Sequence, residues 1–417
     1  MIKRIFQICL VLVLQISIWL VVSPTATALS EEQLLYSEAW RLVDQVYVDD
    51  SFNHQDWRSV RQKALVQPLL DREATYAAIR EMLDSLEDPF TRLLPPQQYH
   101  SLKASTAGEL TGVGLQIVQN TETGYLEVLA PIEGSPAALA GVQAADQILD
   151  IDSVPTTTLT LDEAAERMRG PVGTTVQLKV QRRDAQDQKE ELVFPLKRDR
   201  IAINPVFAEL RSQPHGQDVG FIRLRQFNAN ATQQMEAAIL RLEAEGADAY
   251  ILDLRNNPGG LLQAGVEIAQ LWLNPSPIVY TVDRQGIRNN FEANSGALTD
   301  APLVVLVNRG TASSSEILAG ALQDNGRAKL VGERTYGKGS IQSLFNLSDG
   351  SGLAITIAKY ETPHHRNINK VGIIPDQVVA LRSLRSDQIG TEVDTQYQQA
   401  LKMLREPAVL ASAVSSS

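Results

Sequence analysis

The 417 residues carry 38 Lys and Arg against 49 Asp and Glu, a formal net charge of −11, with 44% apolar and 21% charged residues. This is the composition of a globular chain of about two or three domains, and it excludes wholesale disorder, collagen-like repeats and coiled coil. The acidic balance also disfavours nucleic acid as the main partner, because phosphate binding needs a basic face.

Residues 1–28 begin with Lys3 and Arg4, continue as an uncharged apolar run over 5–22 and end in Ala26-Thr27-Ala28, a small-x-small site ahead of Leu29. The pattern predicts a secretory signal peptide and therefore an exported chain, although the apolar run is also long enough for an uncleaved membrane anchor. The only cysteine, Cys9, lies in this segment, so disulfides, zinc thiolate sites and a cysteine nucleophile are not expected in the mature protein.

Residues 29–105 read as helical. Leu35, Ala39, Leu42, Val43 and Val46 recur at three- and four-residue steps, with Ser30 as N-cap and Glu31 and Glu32 in the first turn. A second helix is predicted after Asp71, to about residue 86, and Leu94-Pro95-Pro96 reads as a breaker. The expected role is a helical cap packed on another domain.

Between residues 106 and 198 the pattern changes to short strands, predicted at 114–118, 125–129, 147–151, 175–181 and 191–196. Ser135 followed by Pro136 starts a short helix that stops at Gly141, and Thr160 with Glu163 forms a capping box for another. This order, with Thr111-Gly112-Val113-Gly114-Leu115 ahead of a strand, resembles a permuted PDZ domain of bacterial proteases. The backbone N–H groups of Gly112, Val113, Gly114 and Leu115 would receive a peptide's terminal carboxylate, and the next strand would accept the peptide by strand addition. The plainer alternative is that the glycines only make a tight turn. Arg169, near the edge of that groove, is either a coupling residue or simply a cation favoured at a helix C-terminus.

From residue 199 to 417 the pattern is α/β: strands at 218–225, 249–254 and 302–307, each followed by a helical stretch, imply parallel strands covered by helices. None of the five histidines falls in an HExxH motif, and G-x-S-x-G, P-loop and early G-x-G-x-x-G motifs are missing from the sequence, which leaves hydroxyls as the candidate nucleophiles. No metal or cofactor is expected.

Three segments carry the chemistry. Asn308-Arg309-Gly310-Thr311-Ala312-Ser313-Ser314-Ser315-Glu316 follows an apolar strand and opens a helix, at the carboxyl end of the sheet where open α/β folds place their sites. Taken alone, a serine there is usually an N-cap. Asp253-Leu254-Arg255-Asn256-Asn257-Pro258-Gly259-Gly260 is a second strand-to-helix junction, and two such junctions can each aim one N–H at a developing oxyanion. Gly337-Lys338-Gly339-Ser340-Ile341-Gln342 precedes a hairpin, and strand alternation would point Lys338 and Gln342 the same way. A lysine between glycines is ordinarily a solvated turn residue. It becomes a general base only if desolvation removes its proton, and lowering an amine from about 10.4 to near 7 costs roughly 4 to 5 kcal/mol.

Together these segments resemble the carboxyl-terminal processing proteases, or tail-specific proteases, which are Ser-Lys endopeptidases with a helical start, a PDZ domain and a crotonase-like α/β core. The resemblance implies Ser313 as nucleophile, 25 residues before Lys338 as general base. It implies Gln342 as the lysine's partner and the amides of Gly259 and Ser314 as oxyanion donors. Ser314 stands where the family usually has alanine, but only its amide is needed.

Two further segments, Tyr36-Ser37-Glu38-Ala39-Trp40-Arg41 and Val46-Tyr47-Val48-Asp49-Asp50-Ser51-Phe52-Asn53, are similar to the cyanobacterial and chloroplast members, as is His365. Those enzymes trim the carboxyl-terminal extension of the photosystem II reaction-centre D-one precursor. The resemblance thus implies protein substrates with free apolar carboxyl termini, a thylakoid-lumen or periplasmic location, and a membrane met only through the signal segment or a membrane-protein substrate. The alternatives are a broader periplasmic tail-specific protease, a catalytically silent PDZ tail-binding protein, and a crotonase-like acyl-thioester enzyme. The last explains neither the export signal nor the PDZ domain.

Overall fold

The computed structural model describes residues 29–405 apart from 121–122, 133, 184–187, 214–216, 381–383 and 386–387; residues 1–28, where the signal peptide is expected, and His215 lie outside the described residues. Helix α1 (Glu31–Val46) starts on a capping box between Ser30 and Gln33 and buries Leu35, Tyr36, Ala39 and Val43. Helix α2 (Trp57–Val66) was not among the expected helices; it is short, and of its apolar residues Trp57 alone is buried, with Val60, Ala64 and Leu65 partly buried against the same core. Helix α3 (Arg72–Asp84) starts after Asp71 as expected, and the Asp71 side chain caps it.

After a turn over residues 85–91 comes strand β1 (Arg92–Leu94), and then helix α4 (Pro96–Thr106). The diproline expected to break structure starts a helix instead. Pro96 occupies the first helical position, where a missing N–H costs nothing and its fixed φ is already helical.

The next unit is mostly β. Strand β2 (Glu109–Gly112) leads into β3 (Leu115–Gln119), β4 (Leu126–Pro131), helix α5 (Pro136–Leu139), β5 (Gln147–Ile151), β6 (Val154–Pro155), helix α6 (Leu161–Met168), β7 (Thr175–Arg183) and β8 (Lys189–Lys197). Strands β3-β4-β5-β7-β8 form the sheet, with β3 at its edge and β6 paired to β5. Both short helices start where the sequence placed their caps, on Ser135 and Thr160. Strand β9 (Asp199–Ala202) pairs antiparallel with β2 and returns the chain to the core.

The core runs β10 (Val206–Ser212), β11 (Asp218–Leu224), α7 (Ala231–Ala244), β12 (Ala249–Asp253), α8 (Leu262–Trp272), β13 (Ser276–Asp283), β14 (Gly286–Ala293), β15 (Leu303–Val307), α9 (Ser314–Asp324), β16 (Ala328–Gly332), β17 (Ser340–Asn346), β18 (Gly352–Glu361), β19 (Gln377–Val378) and α10 (Thr395–Met403). The main sheet has the order β10-β11-β12-β15-β16-β19 and is parallel from β11 onward. Every residue of β12 and β15 is buried, because residues of α7, α8 and α9 cover one face and those of α10 the other. That is why β15 reads as an unbroken apolar run, and β12 as one up to its last residue, Asp253, without alternation.

A second sheet centres on β18. One of its edges carries β17; the other is shared by β13, by β1 through Arg92↔Ala354 to Leu94↔Gly352, and by a hydrogen bond from Val48 N to Thr356 O of 2.9 Å. The helical region therefore contributes a strand to the core sheet and is more than a cap laid upon it.

Candidate active site

The carboxyl ends of β12 and β15 lie side by side, and a short side-chain lattice locks the loops that follow them. Thr311 Oγ1 donates to Leu254 O at 2.9 Å, Asn308 Nδ2 donates to Asn256 Oδ1 at 2.8 Å, and Asn256 N donates to Asn308 Oδ1 at 2.9 Å. Below them Arg255 forms a buried ion triad, 2.7 Å from Asp253 and 2.8 Å from Asp394. Burial works against charge on Asp394, yet the Arg255 guanidinium holds its carboxyl below the usual carboxylate range.

This lattice separates the three adjacent serines. Ser314 Oγ donates to Gly260 O at 3.1 Å and Ser315 Oγ to Asn257 O at 3.0 Å, and both residues are buried. Among the described residues, Ser313 is the one of the three whose hydroxyl donates to no carbonyl. It sits at the N-cap of α9 with φ 58° and ψ −122°, a conformation that costs a non-glycine residue of order 1–3 kcal/mol and persists only where the surroundings impose it.

The constraint on Ser313 comes from Glu316, which is wholly buried. Its carboxylate accepts four hydrogen bonds: from Thr335 Oγ1 (2.5 Å) and Gly337 N (2.7 Å) on one oxygen, and from Lys338 N (2.9 Å) and Ser313 N (3.0 Å) on the other. Burial raises its pKa, against the pull of the four donors. One side chain thus ties the backbone of Ser313 to the backbone of Lys338. Sequence reading quoted Glu316 within its motif without giving it a role, since a glutamate in a helix's first turn is ordinarily a cap.

Burial pushes the Lys338 amine below its ordinary pKa; Arg92 acts in the same direction, while Asp88 and Glu316 oppose it. Its Nζ lies 5.0 Å from the centre of the Phe90 ring. Gln342 differs from its expected setting: Lys338 precedes β17 and does not lie on it, so strand alternation does not relate the two, and Gln342 Nε2 donates to Ser340 Oγ (2.9 Å) and Thr356 Oγ1 (3.2 Å).

The two expected oxyanion amides are brought together. A Cβ built on Gly259, at φ +94°, would lie 2.9 Å from Ser314 N and 2.8 Å from Ser313 Cβ, so only glycine fits. The Gly259 N–H itself donates to Asn257 Oδ1 at 2.9 Å.

In the PDZ unit, Gly112 and Gly114 both have positive φ, and Gly114 packs directly on Ser135, whose hydroxyl donates to Gly114 O at 3.1 Å. Val113 is buried there, and Leu115 opens the edge strand β3 beside α6. Arg169 follows α6 and pairs with Glu166 at 2.8 Å, which in turn accepts from Gln97 of α4 at 3.1 Å. Its link therefore runs toward the helical region.

These features are those of a serine-type peptidase, and the chain belongs to peptidase family S41, whose model matches residues 218–379; a PDZ domain model matches 127–182 and a Tricorn protease C1 domain model 30–86. Within that family it is a carboxyl-terminal-processing protease. It is 55% identical to the carboxyl-terminal-processing protease of a Synechocystis strain over 99% of this chain and 96% of that one, and 56% identical to that of a Picosynechococcus strain over 93% and 92%. The chloroplastic C-terminal processing peptidase of Tetradesmus obliquus is 43% identical over 88% of this chain and 81% of that one. Among solved structures, a photosystem II D1 C-terminal processing protease superposes with a TM-score of 0.56 at 41% identity, covering 84% of this chain and 94% of the other.

Proposed function

We propose that the chain cleaves exported proteins near their carboxyl ends, with Ser313 as nucleophile and Lys338 as its general base. The observation that carries this reading is the shared Glu316 carboxylate, which fixes a strained serine and a desolvated lysine to one point at the mouth of the parallel sheet. Neutral Lys338 takes the Ser313 proton as Oγ attacks the scissile carbonyl, and the Ser314 and Gly259 amides receive the oxyanion. The protonated amine then donates to the departing amide nitrogen, and water releases the acyl group. For Gly259 to serve, Asn257 Oδ1 must share or release its N–H. For Lys338 to serve, its amine must swing from the Phe90 ring to Ser313 Oγ.

The loop Gly112, Val113, Gly114 and Leu115 and the free edge of β3 would take a substrate's apolar terminal residues and carboxylate. The names and similarity of the photosynthetic relatives support the carboxyl-terminal extension of the photosystem II D-one precursor as substrate, and hence action in the thylakoid lumen or periplasm. The test is cleavage of a tailed peptide with a free or an amidated terminus by the parent, Ser313→Ala and Lys338→Ala proteins. Cleavage of the free form by the parent alone supports the reading. A folded Lys338→Ala protein with undiminished rate removes the dyad.

A further inference from the structure

A turn of the helical region approaches the lysine from outside the core. Asp88 Oδ1 accepts from Phe90 N at 3.0 Å, and this bond fixes a turn whose Phe90 ring lies against Lys338 Nζ. Asp88 Oδ2 accepts from Thr91 Oγ1 at 2.7 Å and from Thr356 Oγ1 at 2.6 Å. Thr356 is buried on β18 and stands between Asp88 and Gln342.

The direction of these bonds follows from proton counting. A carboxylate can only accept, so Thr356 gives its single hydroxyl proton to Asp88. The Thr356 oxygen can then only accept from Gln342, which fixes that amide with nitrogen toward Thr356 and Ser340. Gln342 Oε1 accepts no hydrogen bond among the described residues, so an acceptor remains free for the lysine amine.

We infer that Asp88 is a positioning residue: through Thr356 it orients the Gln342 amide so that its oxygen, and not its nitrogen, is presented to Lys338. The inference rests on the Ser313-Lys338 reading above. It assigns the helical region a part in the chemistry: an amine that must lose a proton to act as base and regain it needs an acceptor that holds it in line without itself taking the proton. With the amide reversed, the –NH₂ group would confront the ammonium.

Asp88→Asn tests this in the whole chain. An asparagine can donate to Thr356 Oγ1, freeing that hydroxyl to donate to a reversed Gln342. The expected result on a free-ended tailed peptide is a kcat lowered by at least about tenfold with KM within about twofold. Because the Asp88 charge favours the ammonium, the acid limb of the pH–rate profile should also move to lower pH. The charged groups facing that amine are Asp88 from the turn, Arg92 from β1 and Glu316 from α9, with Asp49, Asp50, Glu87, Arg284, Lys359 and Lys370 on the walls of the adjoining cavity.

Thr356→Ser, which keeps the hydroxyl, should retain activity that Thr356→Val loses, and this pair decides the matter if Asp88→Asn does not fold. Folded Asp88→Asn with unchanged kcat and acid limb, or Thr356→Val as active as Thr356→Ser, overturns the inference. An active Lys338→Ala protein would instead overturn the dyad on which it rests.

Discussion

Glu316→Gln isolates the device that joins the two proposed reacting residues. The least disruptive placement keeps Oε1 on the Ser313 and Lys338 amides and turns Nε2 toward Thr335 and Gly337. Thr335 can rotate its hydroxyl to accept, but the Gly337 N–H cannot, so one charge-assisted bond is lost and two donors face each other in a buried site. A bond to a charged group contributes about 1.5–3 kcal/mol and an unsatisfied buried donor costs about 1–3 kcal/mol, giving an expected destabilisation of about 3–5 kcal/mol. At about 2–4 °C per kcal/mol for a core of this size, Tm should fall by roughly 6–20 °C. Thermal denaturation followed by circular dichroism, run beside peptide cleavage, checks both consequences. A Glu316→Gln protein within about 1 kcal/mol of the parent and still cutting at more than half its rate would refute the claim that this carboxylate holds the site together.

Three other outcomes follow from the geometry. Cleavage requires the neutral amine, so activity should fall as pH drops through the lowered Lys338 pKa; Arg92→Gln, by removing a neighbouring cation, should move that limb to higher pH in a pH–rate profile. Asp394→Ala leaves the buried Arg255 with one carboxylate instead of two and should cost about 3–5 kcal/mol in urea unfolding, whereas an unchanged midpoint would mean the triad contributes nothing. Gly259→Ala places a methyl carbon 2.8 Å from Ser313 Cβ and should lower kcat roughly a hundredfold through misplacement of the nucleophile; full activity would show that the loop gives way freely.

The parts of this molecule legible in its sequence are those where local chemistry and tertiary role coincide. Ser30, Ser135 and Thr160 cap the helices they were expected to cap, a helix starts after Asp71, and the strand-to-helix junctions after β12 and β15 lie side by side. What was illegible depends on contacts hundreds of residues apart. Nothing local distinguishes Asp394, 139 positions from Arg255, or Asp88, 268 from Thr356, from ordinary turn and cap acids. The bonds of Gln342 to Ser340 and Thr356 were equally hidden, because strand alternation starts only at Ser340, two residues past Lys338. The diproline at 95–96 misled for a related reason, since the same residue that ends one helix is well suited to begin another.

The outer side of β18 has a consequence for anyone who would trim this enzyme. Its outer side is closed in succession by β1, by the backbone of Val48 and by β13, so two of the three covers come from the first third of the chain. A shortened protein beginning after residue 94 would bare a run of unpaired peptide groups on an apolar ribbon, the template on which one molecule stitches itself to the next. Such a fragment should leave solution before its catalytic competence could be measured, and the helical start is best regarded as the hem of the central fabric.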